Sequence, residues 1–254
     1  MPQWPLLGGT LEQPLDLACP RERQKARSSV ATRFPVQLTR RLYSYADSDR
    51  MAGVGKGTSK RWIEGYTRTL PSGLRTKVPP VTPGRVITGE GVSFADLVEI
   101  VAIGRFKELG FSVKTVRRIV EACQAQYEVQ HPLSSLEFKA GGRDVFVKDG
   151  TLLHGVLKRK AQPAWDSILG PFLETLDYRD SFAHRWWPLG KDRPIVIDPE
   201  YGYGLPVVAG SGVRTEIISE RVKAGDRPDE IAYDFNVSRA DVDSAIQYEL
   251  QRAS

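Results

Sequence analysis

The sequence predicts a mainly α chain with small β elements: a winged helix-turn-helix first, then a mixed α/β segment, then a tri-helical unit at the end. Three observations predict it. Ser or Asp stands ahead of most of the apolar-periodic runs, as a helix start requires. Apolar residues recur at three- and four-residue spacing along most of those runs. Between them, residues 66 to 90 are rich in Pro, Gly and Thr, a composition that suits a β-hairpin wing and no further helix.

In chain order, residues 1–42 hold scattered Arg, Pro and Gly without periodicity and are expected to be a flexible basic arm. Ser44 with Asp47 opens a short helix, Tyr45 to Met51. Gly53-Val54 supplies a tight turn, and Thr58 to Glu64 reads as a second helix with Trp62 turned inward and Lys60 and Arg61 outward. Ser93 with Asp96 starts a third helix, whose stripe is Phe94, Leu97, Val98, Val101 and Phe106 and which Gly110 stops. Ser112 caps a fourth, with Val116, Ile119, Val120, Cys123 and Tyr127 on one face, so the pair forms an antiparallel hairpin. Together residues 43–130 make one winged unit.

Residues 131–194 are expected to be mixed. Leu136, Phe138, Ala140, Val145 and Val147 alternate around Gly141-Gly142 as a hairpin would, Asp149-Gly150 is a second turn, and 163 to 177 looks helical, with Pro171 as a break or kink. Residues 195–254 form the last unit. Ile195 to Ile197 and Pro206 to Val208 read as short strands, followed by helices over Glu216 to Ala224, Pro228 to Phe235 and Ser238 to Gln251. Asp226 is expected to cap the second of these and Ser238 with Asp241 the third.

Charge is distributed unevenly around a net of +5. From Arg50 to Thr88 there are eight Lys/Arg against a single acid, Glu64, whereas residues 195 to 254 carry eleven acids and six bases. A basic cluster on a helix-turn-helix attracts a phosphate backbone, and an acidic end suits a different partner or a dimer seam. The expected DNA contacts are Lys56, Thr58, Lys60 and Arg61 from the second helix and Arg68, Arg75 and Lys77 from the wing.

Other chemistries find little support. AGVGKGTS lacks the Ser or Thr that must follow the Lys of a phosphate loop, and Gly210-Ser211-Gly212 lacks the third glycine of a dinucleotide fingerprint. His131, His154 and His184 stand far apart, Cys19 and Cys123 form no framework, and no Ser/His/Asp or paired-carboxylate constellation can be assembled. No enzyme, metal or cofactor is therefore expected. No run approaches a membrane span and no apolar signal core opens the chain, so a soluble cytoplasmic protein is expected.

Two blocks carry a family resemblance. YSYADSDRMAGVGKGTSKRWIEGY with the later run Lys107-Glu108-Leu109-Gly110-Phe111-Ser112-Val113-Lys114-Thr115-Val116-Arg117 resembles the MerR-type winged helix-turn-helix. The end of the chain, marked by Asp198-Pro199, Gly204-x-Pro206, Gly210 to Thr215, Ala224-Gly225-Asp226 and Ala245-Ile246, is similar to a tri-helical domain of bacterial antitoxins paired with PIN-like ribonuclease toxins. The departures are Ser59, where the MerR family places Leu or Ile, and Gly55 and Gly57, which weaken the second helix by roughly 1 kcal/mol each relative to Ala. The resemblance implies a VapB-like antitoxin, expected as a homodimer, that neutralises a PIN-like toxin and represses its own operator. Such a protein can place an Arg among the toxin's acids, and Arg185, Arg193 and Arg214 are candidates that nothing in the sequence ranks. A transcription regulator sensing a small organic ligand through residues 131 to 190 is the alternative.

Overall fold

The buried helix α4 (Phe94–Glu108) organises much of the molecule, and elements from before and after it in the chain pack against it. The computed structural model describes residues 36–82, 90–135, 138–139 and 165–253, all within one unit spanning Phe34–Ser254. Ahead of α4 stand α1 (Val36–Thr39), β1 (Arg41–Tyr43), α2 (Tyr45–Met51), α3 (Thr58–Glu64), β2 (Tyr66–Thr69), β3 (Arg75–Val78) and β4 (Val92–Ser93). Thus α1 and most of β1 occupy the end of the segment expected to be an arm, whose first 35 residues lie outside the described ones.

The local signals at α2 and α4 act as expected. Ser44 accepts from the Asp47 N–H at 3.0 Å. Ser93 and Asp96 form a reciprocal capping box, with N–H contacts of 3.2 and 3.0 Å. Gly110 then takes φ +82° where the chain turns towards α5 (Val113–Tyr127), whose cap is Ser112. Phe106 and Phe111 meet edge to face across that turn, centroids 5.9 Å apart.

The expected single stripe on α4 is corrected. Ile100, Ala102 and Ile103 are buried along with Phe94, Leu97, Val98, Val101 and Phe106, and so are Asp96 and Glu99. The reason lies far away in sequence. Strand β6 (Phe182–Trp186) and a π-helical turn (Trp165–Leu169) cover one side of the helix, while α1, α3 and β1 contact it from the amino-terminal part.

The middle segment differs from expectation in two further places. Phe138 and Lys139 are helical where alternation suggested a strand, and the Phe138 N–H is capped by Ser135 Oγ at 3.1 Å. The rest of that hairpin and the Asp149-Gly150 turn lie outside the described residues. The helix expected over 163 to 177 is a π turn followed by α6 (Gly170–Glu174), because Pro171 is accepted only in the first turn of a new helix. The chain then extends as β5 (Leu176–Arg179), which pairs antiparallel with β6.

Trp186 and Ile197 exchange two backbone hydrogen bonds of 2.9 Å, joining β6 to the β7 (Ile195–Val196) and β8 (Val207–Val208) pair. The three expected closing helices follow as α7 (Thr215–Lys223), α8 (Pro228–Phe235) and α9 (Arg239–Ala253). Ser238 and Asp241 make the capping contacts of α9, at 2.8 and 3.1 Å. Asp226 does not cap α8: its carboxylate is drawn to Arg221 at 2.5 Å, and Arg227 takes the cap position. Among the described residues no helix is long and apolar enough to cross a membrane.

Candidate nucleic-acid interface

Helix α3 is held by a residue that the sequence did not single out. Asp49, buried on α2, accepts from the Gly57 N–H at 2.5 Å and the Ser59 N–H at 2.8 Å. It thereby satisfies the donors that open α3 and places a negative charge where the helix dipole is positive. Gly57 supplies the left-handed step into α3, at φ +74°, which only glycine adopts without strain. No short-range pattern marks Asp49, since its partners lie eight and ten residues on.

Ser59, Trp62 and Ile63 form the buried face of α3, and Lys60 and Arg61 are exposed beside the exposed Lys56. Thr58 is partly buried and accepts from Arg61 at 3.0 Å, so it steadies that guanidinium. Glu64, the lone acid of the basic stretch, is occupied. It accepts from Tyr45 Oη at 2.5 Å and lies 3.9 Å from Lys60, whose ammonium is 5.6 Å from the Tyr45 ring centre. Burial and the Glu64 carboxylate push the Tyr45 phenol up to about 12, so it remains a neutral donor to Glu64 near neutral pH.

The hairpin β2–β3 pairs Thr67 with Lys77, Arg68 with Thr76 and Thr69 with Arg75. Strand alternation therefore puts Arg75 and Lys77 on one face and Arg68 on the other, with Thr76 and Val78, which are partly buried. The three wing cations expected to act together are divided. The hairpin base is clamped from α5: Arg117 donates through Nε to the Pro80 carbonyl and through Nη2 to that of Pro79, each at 2.7 Å.

Of the three other candidate arginines, Arg185 and Arg193 are engaged through their side chains. Arg185 lies 2.9 Å from the buried Asp198 carboxylate and 5.9 Å from the Trp187 ring, and Arg193 reaches Gln247 at 3.1 Å. Arg214 is the cap residue of α7. Much of the acidic charge at the end of the chain is also neutralised internally. Arg221 joins Asp226 and Asp234, Arg239 joins Asp229 and Asp243, and Arg252 meets Glu249. Sequence counting could not foresee the Arg221–Asp234 and Arg239–Asp229 pairs, because they connect different helices. Folding also brings together Asp96, Glu99 and His131, whose ligand atoms lie within 4.8 Å of one another.

Comparison with known proteins bears on both ends of the chain. Residues 195–248 match the model of a family described as a protein of unknown function, DUF433. A Mycobacterium tuberculosis protein named "Uncharacterized protein Rv2308" is 26% identical over 234 residues, covering 83% of this chain and 91% of that protein. One named "Putative antitoxin VapB45", from the same organism, is 23% identical over 213 residues, covering 78% of this chain and 89% of its own length. The crystal structure of Rv2018 from Mycobacterium tuberculosis superposes with a TM-score of 0.63 at 21% identity, covering 82% of this chain and 99% of that one, a likeness of fold.

Proposed function

We propose that this chain is a DNA-binding antitoxin that represses its own operator and neutralises a partner toxin of the PIN-like ribonuclease kind. In this reading α2, α3 and the β2–β3 hairpin act as a winged helix-turn-helix, and the DUF433-matching end engages the toxin or a second copy of the chain. The protein has no catalytic role of its own. One observation carries the DNA side: Lys56 in the turn before α3, Lys60 and Arg61 on α3, and Arg75 and Lys77 on the hairpin are all exposed, while the only acid among them is held by Tyr45. The relative named as an antitoxin, which aligns along most of its length, supports the toxin side.

The test is operator binding measured against salt, with co-expression of the neighbouring reading frame. Lys and Arg that meet phosphates release counterions, so each one removed lowers the slope of log affinity against log salt by about 1. Arg75→Ala and Lys77→Ala are expected to do this, and Arg68→Ala, on the other hairpin face, is expected to leave the slope unchanged. Lys60→Ala or Arg61→Ala should also weaken binding by about 1–3 kcal/mol if its side chain reaches a base edge. An affinity independent of salt ends the DNA reading. Failure of the neighbour's product to co-purify, or of this chain to rescue growth, ends the toxin reading separately.

A further inference from the structure

We propose that Asp96, Glu99 and His131 form an internal site for a divalent first-row metal ion of the zinc class. Asp96 and Glu99 are three residues apart on the first turns of α4, so they share a face. His131 arrives opposite them from the turn after α5. Its Nδ1 lies 3.2 Å from Glu99 Oε2 and 3.8 Å from Asp96 Oδ1. Zinc binds imidazole nitrogen and carboxylate oxygen at about 2.0–2.2 Å, so tetrahedral ligand atoms stand about 3.4 Å apart. The two observed separations bracket that value. The His131–Glu99 contact is within hydrogen-bond reach, but longer than the ~2.7–2.9 Å of a charged imidazolium on a carboxylate.

The carboxylates are oriented as metal ligands are. Asp96 Oδ2 accepts from the Ser93 N–H at 3.0 Å and from Arg41 at 2.7 Å, and Glu99 Oε1 accepts from the Leu133 N–H at 3.2 Å. These bonds hold one oxygen of each group and turn the other towards the histidine, the outer support that fixes a metal ligand's direction. Two carboxylates, a neutral imidazole and a dication sum to zero charge, which burial requires. Arg41 adds one positive charge beyond Asp96 Oδ2, on a side chain that is 18% exposed. With all three ligands buried, the ion is structural. It fastens α4 to the turn over residues 131–135, and its binding energy adds to folding energy.

The experiment uses the full chain, stripped with chelator and titrated with zinc, then with cobalt as an optical probe. One ion per chain should bind, the melting midpoint should rise with zinc concentration, and cobalt should give visible bands without thiolate charge transfer from either of the two cysteines. The chain has three histidines, so a His154→Gln/His184→Gln variant keeps His131 alone and should bind as the wild type does. Glu99→Gln and His131→Asn should weaken binding at least tenfold. The proposal is overturned if the wild type shows neither a zinc-dependent melting shift nor cobalt bands. Loss of binding in the double variant, with its metal-free melting midpoint unchanged, overturns it equally.

Discussion

Ser59 occupies a core position on α3 with a hydroxyl that is fully buried and finds no hydrogen-bond partner among the described residues. A buried, unsatisfied hydroxyl opposes folding by about 1–3 kcal/mol. Removing it leaves the helix start untouched, because Asp49 bonds the Ser59 backbone and not its side chain. Ser59→Ala is therefore expected to raise stability by about 1 kcal/mol, read as a higher urea midpoint. Asp47 makes an opposite, pH-dependent contribution. Burial alone would raise its carboxyl, but the Ser44 hydrogen bond and the charges of Arg50 and Arg252 hold it below the ordinary 3.8. The folded value is the lower one, so the unfolded chain takes up the proton first as pH falls. Asp47's stabilisation is complete above 3.8 and is lost as pH drops through the folded value. Asp177 behaves alike: burial opposes, but Lys191 and Trp187 lower it. Asp47→Asn should flatten the acid limb of a plot of urea midpoint against pH; an unchanged limb would show that Asp47 makes no such contribution.

At the scale of elements, the wing depends on a side chain that lies outside it. Arg117 on α5 grips two consecutive carbonyls at the exit of β3, and its planar fork matches that pair as a lysine ammonium cannot. Arg117→Ala is expected to destabilise the chain by about 1–3 kcal/mol and to speed amide exchange across β2 and β3. Arg117→Lys should restore charge without restoring protection, and if it restores both, the geometric account of the clamp is wrong. The same scale separates what could be read in the sequence from what could not. The bounds of α2 and α3 were legible because Ser44 and Gly53 act on neighbours a few residues away. The helices α7, α8 and α9 were legible because Pro228 and Ser238 signal locally too. The burial of α4 on all its faces ahead of the last turn was not, since β6 and the π turn that cover it come some sixty residues later or more. Nor were Asp49, the hairpin β5–β6 or the approach of His131 to Glu99, each defined by partners that a short window does not contain. The candidate interface was legible as a set of residues, but its division between hairpin faces needed the register of β2 against β3.

At the scale of the whole molecule, the amino- and carboxy-terminal parts share one core through a close approach of backbone to side chain. Val242, Ala245 and Tyr248 of α9 belong to the same buried cluster as Tyr43 and Met51. Where the loop before β8 crosses β1, Gly204 has φ +75°, and a Cβ there would stand 2.7 Å from Tyr43 Oη and 3.0 Å from Leu42 Cδ1. Gly210 has a similar φ of +84°, yet a Cβ on it would meet nothing within 4 Å. The two glycines therefore form a controlled pair. Alanine at either position is strained in the left-handed region by about 1–2 kcal/mol, but only at Gly204 must Tyr43 and Leu42 also give way, adding about 1–3 kcal/mol of overpacking. Gly204→Ala is expected to lower the urea midpoint clearly further than Gly210→Ala, and to accelerate amide exchange in β1 and α2 as well as in its own loop. Equal losses from the two substitutions would mean that the loop does not bear on β1. In that case the Gly204 loop would be no part of the packed route from the carboxy-terminal end to α3, which carries Lys60 and Arg61, and α9 against Tyr43 and Met51 would be left to provide it.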